Sequence, residues 1–215
     1  MSAVALTTKR TYRSDRQVQR EANILAVTRQ ALADKGYDGV TMNALAAEAG
    51  VTKRTLYNLY GGKDQLLHAA VGEVIAKYRG VEQISAPGIE AIVSSRTNAV
   101  DEVIATPTYS DAMTRALVQV ADDHPLTDTL LTDSLAFTTH HLQVAVTRGD
   151  LAETLPAEDL ARQIVSQGWG MVLLRMKGVL NAQQFRSASL QGLTLLLLSV
   201  AQGSCRAALQ QQLEI

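Results

Sequence analysis

The sequence predicts an all-α protein, and three observations carry that expectation. Apolar residues recur at i, i+3 and i+4 through most of the chain, the period of a helix with one buried face. No window sustains the apolar–polar alternation of a half-buried strand. Glycines and prolines interrupt the pattern at helix-length intervals, as at Gly36, Gly50, Gly61-Gly62, Pro107, Pro125 and Gly149. The 215 residues contain no repeat of 20–50 residues. Apolar residues make up 47% and charged residues 19%, enough for a substantial core and unlike a disordered chain. Aromatics are only 4%, so that core is built from Leu, Val, Ile and Ala.

Composition also bounds the compartment. Cys205 is the single cysteine, which excludes an intramolecular disulfide framework and a cysteine-based zinc site. The start, MSAVALTTKR, lacks a hydrophobic signal core. The longest apolar run, Leu193 to Ala201, is about half a membrane span. A soluble, cytoplasmic protein with no membrane partner is expected. Net charge is −1, but it is unevenly spread. Residues 1–79 hold 12 Lys and Arg against 7 Asp and Glu, a net +5, while residues 80–215 hold 8 against 14, a net −6. A basic beginning beside an acidic remainder implies that only the first part meets a polyanion.

Residues 1–14 carry Lys9, Arg10 and Arg13 without apolar period and read as a flexible basic arm, either solvated or reaching along a nucleic-acid groove. From Arg16 to Lys35 a helix places Ile24, Leu25, Thr28, Ala31 and Leu32 on one face, and Gly36 ends it. Tyr37, Asp38 and Gly39 turn the chain. Thr41 can then cap a short helix with Leu45, Ala46 and Ala49 inward, because its side-chain oxygen satisfies an orphan N–H. Gly50 suits a left-handed terminus. Thr52 can cap a second short helix with Leu56 and Leu59 inward and Lys53, Arg54, Tyr57 and Asn58 outward. A buried leucine pair beneath a cationic, amide and phenolic face is what major-groove reading requires, so residues 15–62 are expected to form a three-helix, helix-turn-helix DNA-binding domain.

Gly61-Gly62 breaks that helix and Lys63 opens the next, which links the two parts over residues 63–84 and buries Leu66, Leu67, Ala70, Val71, Val74 and Ile75 as far as about Tyr78. Lys63 opposes the helix dipole unless a phosphate binds at the same end. Ser85–Gly88 is a composition break, and residues 85–215 form the second domain. Its helices are expected at Ile89–Ala105, Tyr109–Ala121, Leu126–Arg148, Ala157–Leu180 and Ser187–Leu213, with a loop from Gly149 to Pro156. The last two are apolar on several sides, which implies burial at the centre or between subunits. A homodimer through Ala157–Leu180 and Ser187–Leu213, forming a four-helix bundle about a two-fold axis, is expected.

A cavity among these helices would be apolar with a few polar anchors. Arg96 falls within the stripe Ile89, Ile92, Val93, Val100, Val103 and Ile104. A buried cation needs a partner, which would be an internal carboxylate such as Asp133 or an anionic ligand; otherwise its head reaches water at the helix edge. Arg175 suits an ion pair at the dimer surface. Val100, Tyr109, Met113, Phe137 and Trp169 are candidate ligand contacts, with core packing as the alternative for each. His140-His141 lacks a third ligand at helical spacing, so no metal is expected there. His141 is instead a candidate polar anchor.

The first 80 residues resemble the tetracycline-repressor family of bacterial regulators. The carrying residues are Ile24-Leu25, Ala31-Leu32, Gly36-Tyr37, Thr41-Met42, Leu45-Ala46, Ala49-Gly50-Val51, Thr55-Leu56-Tyr57, Tyr60, Lys63 and Leu66-Leu67. The rest is covered only by helix count, the Arg148-Gly149-Asp150-Leu151 turn and two apolar terminal helices. The resemblance implies an all-α homodimer with an N-terminal DNA-binding domain and a C-terminal ligand-binding and dimerisation domain. It implies that Thr41, Tyr57 and Lys63 hold phosphates, and that Asn43, Thr52, Lys53, Arg54 and Asn58 face bases or the adjoining backbone. Thr55 and Tyr60 complete the set. Leu59 stands where many members have histidine, and Tyr60 replaces the usual phenylalanine.

The resulting expectation is a ligand-responsive transcriptional regulator on double-stranded operator DNA, released by an unidentified small-molecule inducer and using no cofactor. The alternative is a dimeric helical small-molecule-binding protein without sequence-specific DNA recognition. No nucleophile elbow, glycine-rich phosphate loop or paired metal motif supports an enzyme.

Overall fold

The computed structural model describes residues 15–79, 87–152 and 156–213. The basic arm, residues 1–14, lies outside them. Eleven α-helices run in order among the described residues. The first four are α1 (Asp15–Gly39), α2 (Met42–Glu48), α3 (Lys53–Tyr60) and α4 (Lys63–Arg79). They are followed by α5 (Ile89–Ala105), α6 (Pro107–Gln119) and α7 (Pro125–Thr127). A π-helical segment, Asp128–Thr132, joins α7 to α8 (Asp133–Thr147). The chain closes with α9 (Ala157–Met176), α10 (Ala182–Leu198) and α11 (Gly203–Leu213). No described helix is long and apolar enough to cross a membrane.

Local chemistry sets most boundaries. Gly36 leaves helical geometry at φ 67°, so α1 kinks there, and Tyr37–Gly39 make one further turn. Pro107 opens α6 at a position where its missing N–H costs nothing. Asn181 and Gln184 form a reciprocal capping box that starts α10 at Ala182, earlier than the expected Ser187.

The expected helix Ser187–Leu213 is two helices. Between them the Ala152 N–H donates to Val200 O at 2.8 Å and the Gln202 N–H to Asp150 O at 2.9 Å. These bonds make a lone antiparallel bridge between Leu151 and Ala201. The chain can leave the helix there because the loop after α8 supplies replacement partners for its backbone. Likewise α9 stops at Met176, short of Leu180, in a turn whose Gly178 has φ 73°.

Packing joins the two expected domains more tightly than their sequence suggests. α1 packs most extensively against α6, and α4 against α1, α5 and α7. Ile24, Leu32, Leu45, Leu56 and Leu66 share one core with Tyr109, Met113, Leu126 and Leu130. A three-helix unit of this size has a small core of its own, and α6 and α7 extend its interior. A second core centres on Leu142, Leu160, Ile164, Leu193 and Leu197, where α8, α9 and α10 meet.

Candidate nucleic-acid interface and buried cavity

Thr41 and Thr52 cap the two short helices through their own hydroxyls. The Ala44 N–H donates to Thr41 Oγ1 at 3.3 Å, and the Thr55 N–H to Thr52 Oγ1 at 3.1 Å. Between them Gly50 adopts φ 67° and turns α2 into α3. Leu56 is fully buried and fixes the rotation of α3 about its axis. Thr52, Lys53, Arg54, Tyr57 and Asn58 are exposed on the opposite side, as is Asn43 near the start of α2. Thr55 and Tyr60 are half-buried, and Tyr60 packs against the core. Lys53 Nζ lies 5.8 Å from the Tyr57 ring centroid, which tethers both side chains on one face.

Leu59 corrects the expected inward pair. It is 38% exposed, because the short helix reaches the core through Leu56 and Tyr60, one turn apart, and Leu59 is left at the rim.

Lys63 stands at the first turn of α4 with its ammonium 4.3 Å from the Tyr37 ring centroid. The Tyr37 hydroxyl donates to Asp64 Oδ1 at 2.7 Å and lies 3.1 Å from His124 Nε2. His124 Nδ1 accepts from the Leu126 N–H at 3.1 Å, so the neutral ring carries its proton on Nε2 and donates it toward Tyr37. Burial, then Asp64, pushes the Tyr37 pKa from 10 up to about 12. One tyrosine thus ties the α1 kink, the start of α4 and α7 together.

A cavity of about 170 Å³ lies where α4, α5, α6, α8, α9 and α10 converge. Arg96, Val100, Met113, Phe137 and Trp169 line it, with Ile75 of α4 at its edge. Two sequence candidates lie elsewhere. Tyr109 is packed in the core between α1 and α6, and burial raises its pKa well above the ordinary 10. His141 accepts the Gly88 N–H on Nδ1 at 3.2 Å and meets Phe137 edge-on, which holds it over the start of α5.

Arg96 pairs with no carboxylate among the described residues, Asp133 included. Its Nη1 donates to Gln167 Oε1 at 2.5 Å and its Nη2 to Ile164 O at 2.7 Å. Burial alone lowers its pKa from 12.5 to about 10, so it stays cationic at neutral pH. Arg175, expected at a dimer surface, forms an ion pair with Asp111 of the same chain and lies over Phe185. It is mostly buried because α9 turns that side toward α6 and α10.

Sequence reasoning missed Gln167, Gly168, Ser110 and Ser189. Gly168 and Gly192 inside apolar helices were the available signal, since an internal glycine often marks a close approach. Among the described residues no group of His, Cys, Asp and Glu could hold a metal ion.

Residues 24–70 match the family model described as bacterial regulatory proteins, tetR family. An uncharacterized HTH-type transcriptional regulator of Mycobacterium tuberculosis is 30% identical over 147 residues, covering 66% of this chain and 70% of that protein. TylP, a tetR regulator from Streptomyces fradiae, superposes with a TM-score of 0.67 at 20% identity, covering 90% of this chain and 92% of that one. SmeT, the repressor of a Stenotrophomonas maltophilia multidrug efflux pump, does so with a TM-score of 0.66 at 16% identity, covering 86% and 92%. At such identities the two structures speak for the fold alone.

Proposed function

The chain belongs to the tetR family of bacterial regulatory proteins, and from that premise we propose a homodimeric repressor released from its operator by a small molecule. The observation that carries the reading is α3, with Leu56 buried beneath an exposed face of Lys53, Arg54, Tyr57 and Asn58. Arg54 or Lys53 reads guanine and Asn58 reads adenine in the major groove. Thr41, Tyr57 and Lys63 hold phosphates. Thr41 suits that role because its oxygen accepts the Ala44 N–H while its own proton stays free to donate. Asn43, Thr52, Thr55 and Tyr60 complete the interface.

Two copies join through α9 and α10, where Leu173, Leu174 and Leu195 stay exposed in the single chain. Dimerisation spaces the two α3 helices about 34 Å apart, one turn of the duplex. The cavity touches Ile75 of α4 and Met113 of α6, and α6 packs against α1. A ligand that fits better after these helices shift lowers operator affinity, and DNA weakens ligand binding by the same factor.

A fluorescence-anisotropy titration on DNA from upstream of the protein's own gene tests the reading. Saturable binding that outcompetes unrelated duplex supports it. Equal affinity for all sequences at moderate salt would sink it.

A further inference from the structure

We propose that the cavity is a receptor for a small carboxylic acid, with Arg96 holding the carboxylate and the apolar walls holding a single ring or short chain. The inference rests on the reading of this cavity as the inducer site.

Among the described residues the Arg96 guanidinium meets neutral acceptors only, Gln167 Oε1 and Ile164 O. Gln167 is committed to that orientation, because its Nε2 donates to Ala188 O at 3.3 Å. Two glycines make room for the arrangement. A Cβ on Gly168 would stand 2.9 Å from Arg96 Cζ, and one on Gly192 would stand 2.3 Å from Gln167 Nε2. Glycine is a poor helix former, yet α9 and α10 each keep one against this cation or its partner. The chain therefore seats the guanidinium firmly without neutralising it.

Arg175, on α9, shows the contrasting solution. It meets Asp111 and serves as a structural ion pair. Arg96 has no such partner among the described residues, and a half-buried cation with only neutral acceptors leaves room for a counter-charge that a ligand could supply. The Ser110 and Ser189 hydroxyls, both buried without a protein partner, line the same cavity. They offer hydrogen bonds to a ligand oxygen. Val100, Met113, Phe137 and Trp169 supply the apolar remainder.

The charge and planar fork of one guanidinium match one carboxylate, which accepts two parallel N–H bonds. A phosphate dianion would need a second cation. The volume limits the rest of the ligand. A dry cavity of about 150 Å³ accepts benzene, so about 170 Å³ suits a single ring or a short acyl chain.

Trp169 is the only tryptophan in the chain and lines the cavity, so its fluorescence reports occupancy directly. The full-length protein is titrated with benzoate and the straight-chain acids from butanoate to octanoate, and in parallel with benzyl alcohol and the matching alcohols. The proposal expects saturable binding of at least one acid, at least about tenfold tighter than its alcohol. It expects Arg96→Gln to abolish that preference while the alcohols still bind, and Arg96→Lys to retain part of it. Gly168→Ala, which displaces the guanidinium, should weaken the acids selectively. Thermal melts of the variants establish that they fold. Alcohols binding as well as acids, or Arg96→Gln keeping the preference, overturns the proposal and leaves the cavity reading intact. If neither acids nor alcohols perturb Trp169, both fail.

Discussion

Arg54 and Tyr57 are exposed on α3 and make no contact with the buried core. Removing them should therefore leave folding untouched. The double variant Arg54→Ala, Tyr57→Ala is expected to lose operator binding by two orders of magnitude or more, since each base or phosphate contact contributes about 1–3 kcal/mol. Size-exclusion chromatography should show an unchanged oligomer, and anisotropy should show no complex. His141 gives a residue-scale prediction of another kind. Burial, then His140, lowers its pKa below 6.5, and its Nδ1 must stay unprotonated to accept the Gly88 N–H. A base with a depressed folded pKa contributes stability that is full above the unfolded value and is lost as pH falls through the folded one. Melting temperature should therefore fall as pH drops below about 6.5. His141→Asn should flatten that part of the profile; an unchanged slope would place the effect on another group.

Single helices owe their placement to few side chains. α3 is anchored by Leu56, fully buried, whereas Leu59 lies at the rim. Leu56→Ala is expected to cost about 2–5 kcal/mol and to melt the reading unit, the usual range for a truncated core leucine. Leu59→Ala should stay within about 0.5 kcal/mol, as surface changes do. Urea denaturation of the two variants distinguishes them, and equal losses would put both leucines in the core. Both are apolar and three residues apart, so periodicity alone could not separate them. The break between α10 and α11 was hidden for a similar reason. Leu193 to Ala201 reads as uninterrupted helix, and only the pairing of Val200 and Gln202 with the distant loop at 150–152 ends it. The capping residues Thr41 and Thr52, by contrast, were legible because their partners lie three residues away.

At the scale of the molecule, the proposed dimer interface rests on the exposed leucines of α9 and α10. Leu195 is 57% exposed and Leu173 47%. Leu173→Glu with Leu195→Glu would bury like charges across a two-fold interface and should yield a monomer by light scattering. Its operator affinity should fall steeply, because each half-site then binds alone and the effective-concentration gain is lost. A variant that remained dimeric would move the interface elsewhere. The shared core of α1, α4, α6 and α7 means that the reading unit and the cavity walls are one packed body. A displacement of α6 or α4 would therefore reach α1 through direct contact.

The amino-acid sequence by itself determined the all-helical character, the first four helices, the turn at Gly50, both threonine caps and the outward Lys53, Arg54, Tyr57 and Asn58 of α3, because each depends on neighbours within a turn or two. It also determined that Arg96 was out of place among aliphatic residues. Tertiary structure alone decided what Arg96 meets. Its acceptors lie 68 and 71 residues away in sequence, and both are neutral. It decided, too, that Arg175 pairs with Asp111, 64 residues distant, and that Tyr109 and His141 stand apart from the cavity. Periodicity specifies which face of a helix is buried but not which other helix covers it. The partner of a charge follows from that covering, and among the described residues it gives Arg96 neutral acceptors and no carboxylate.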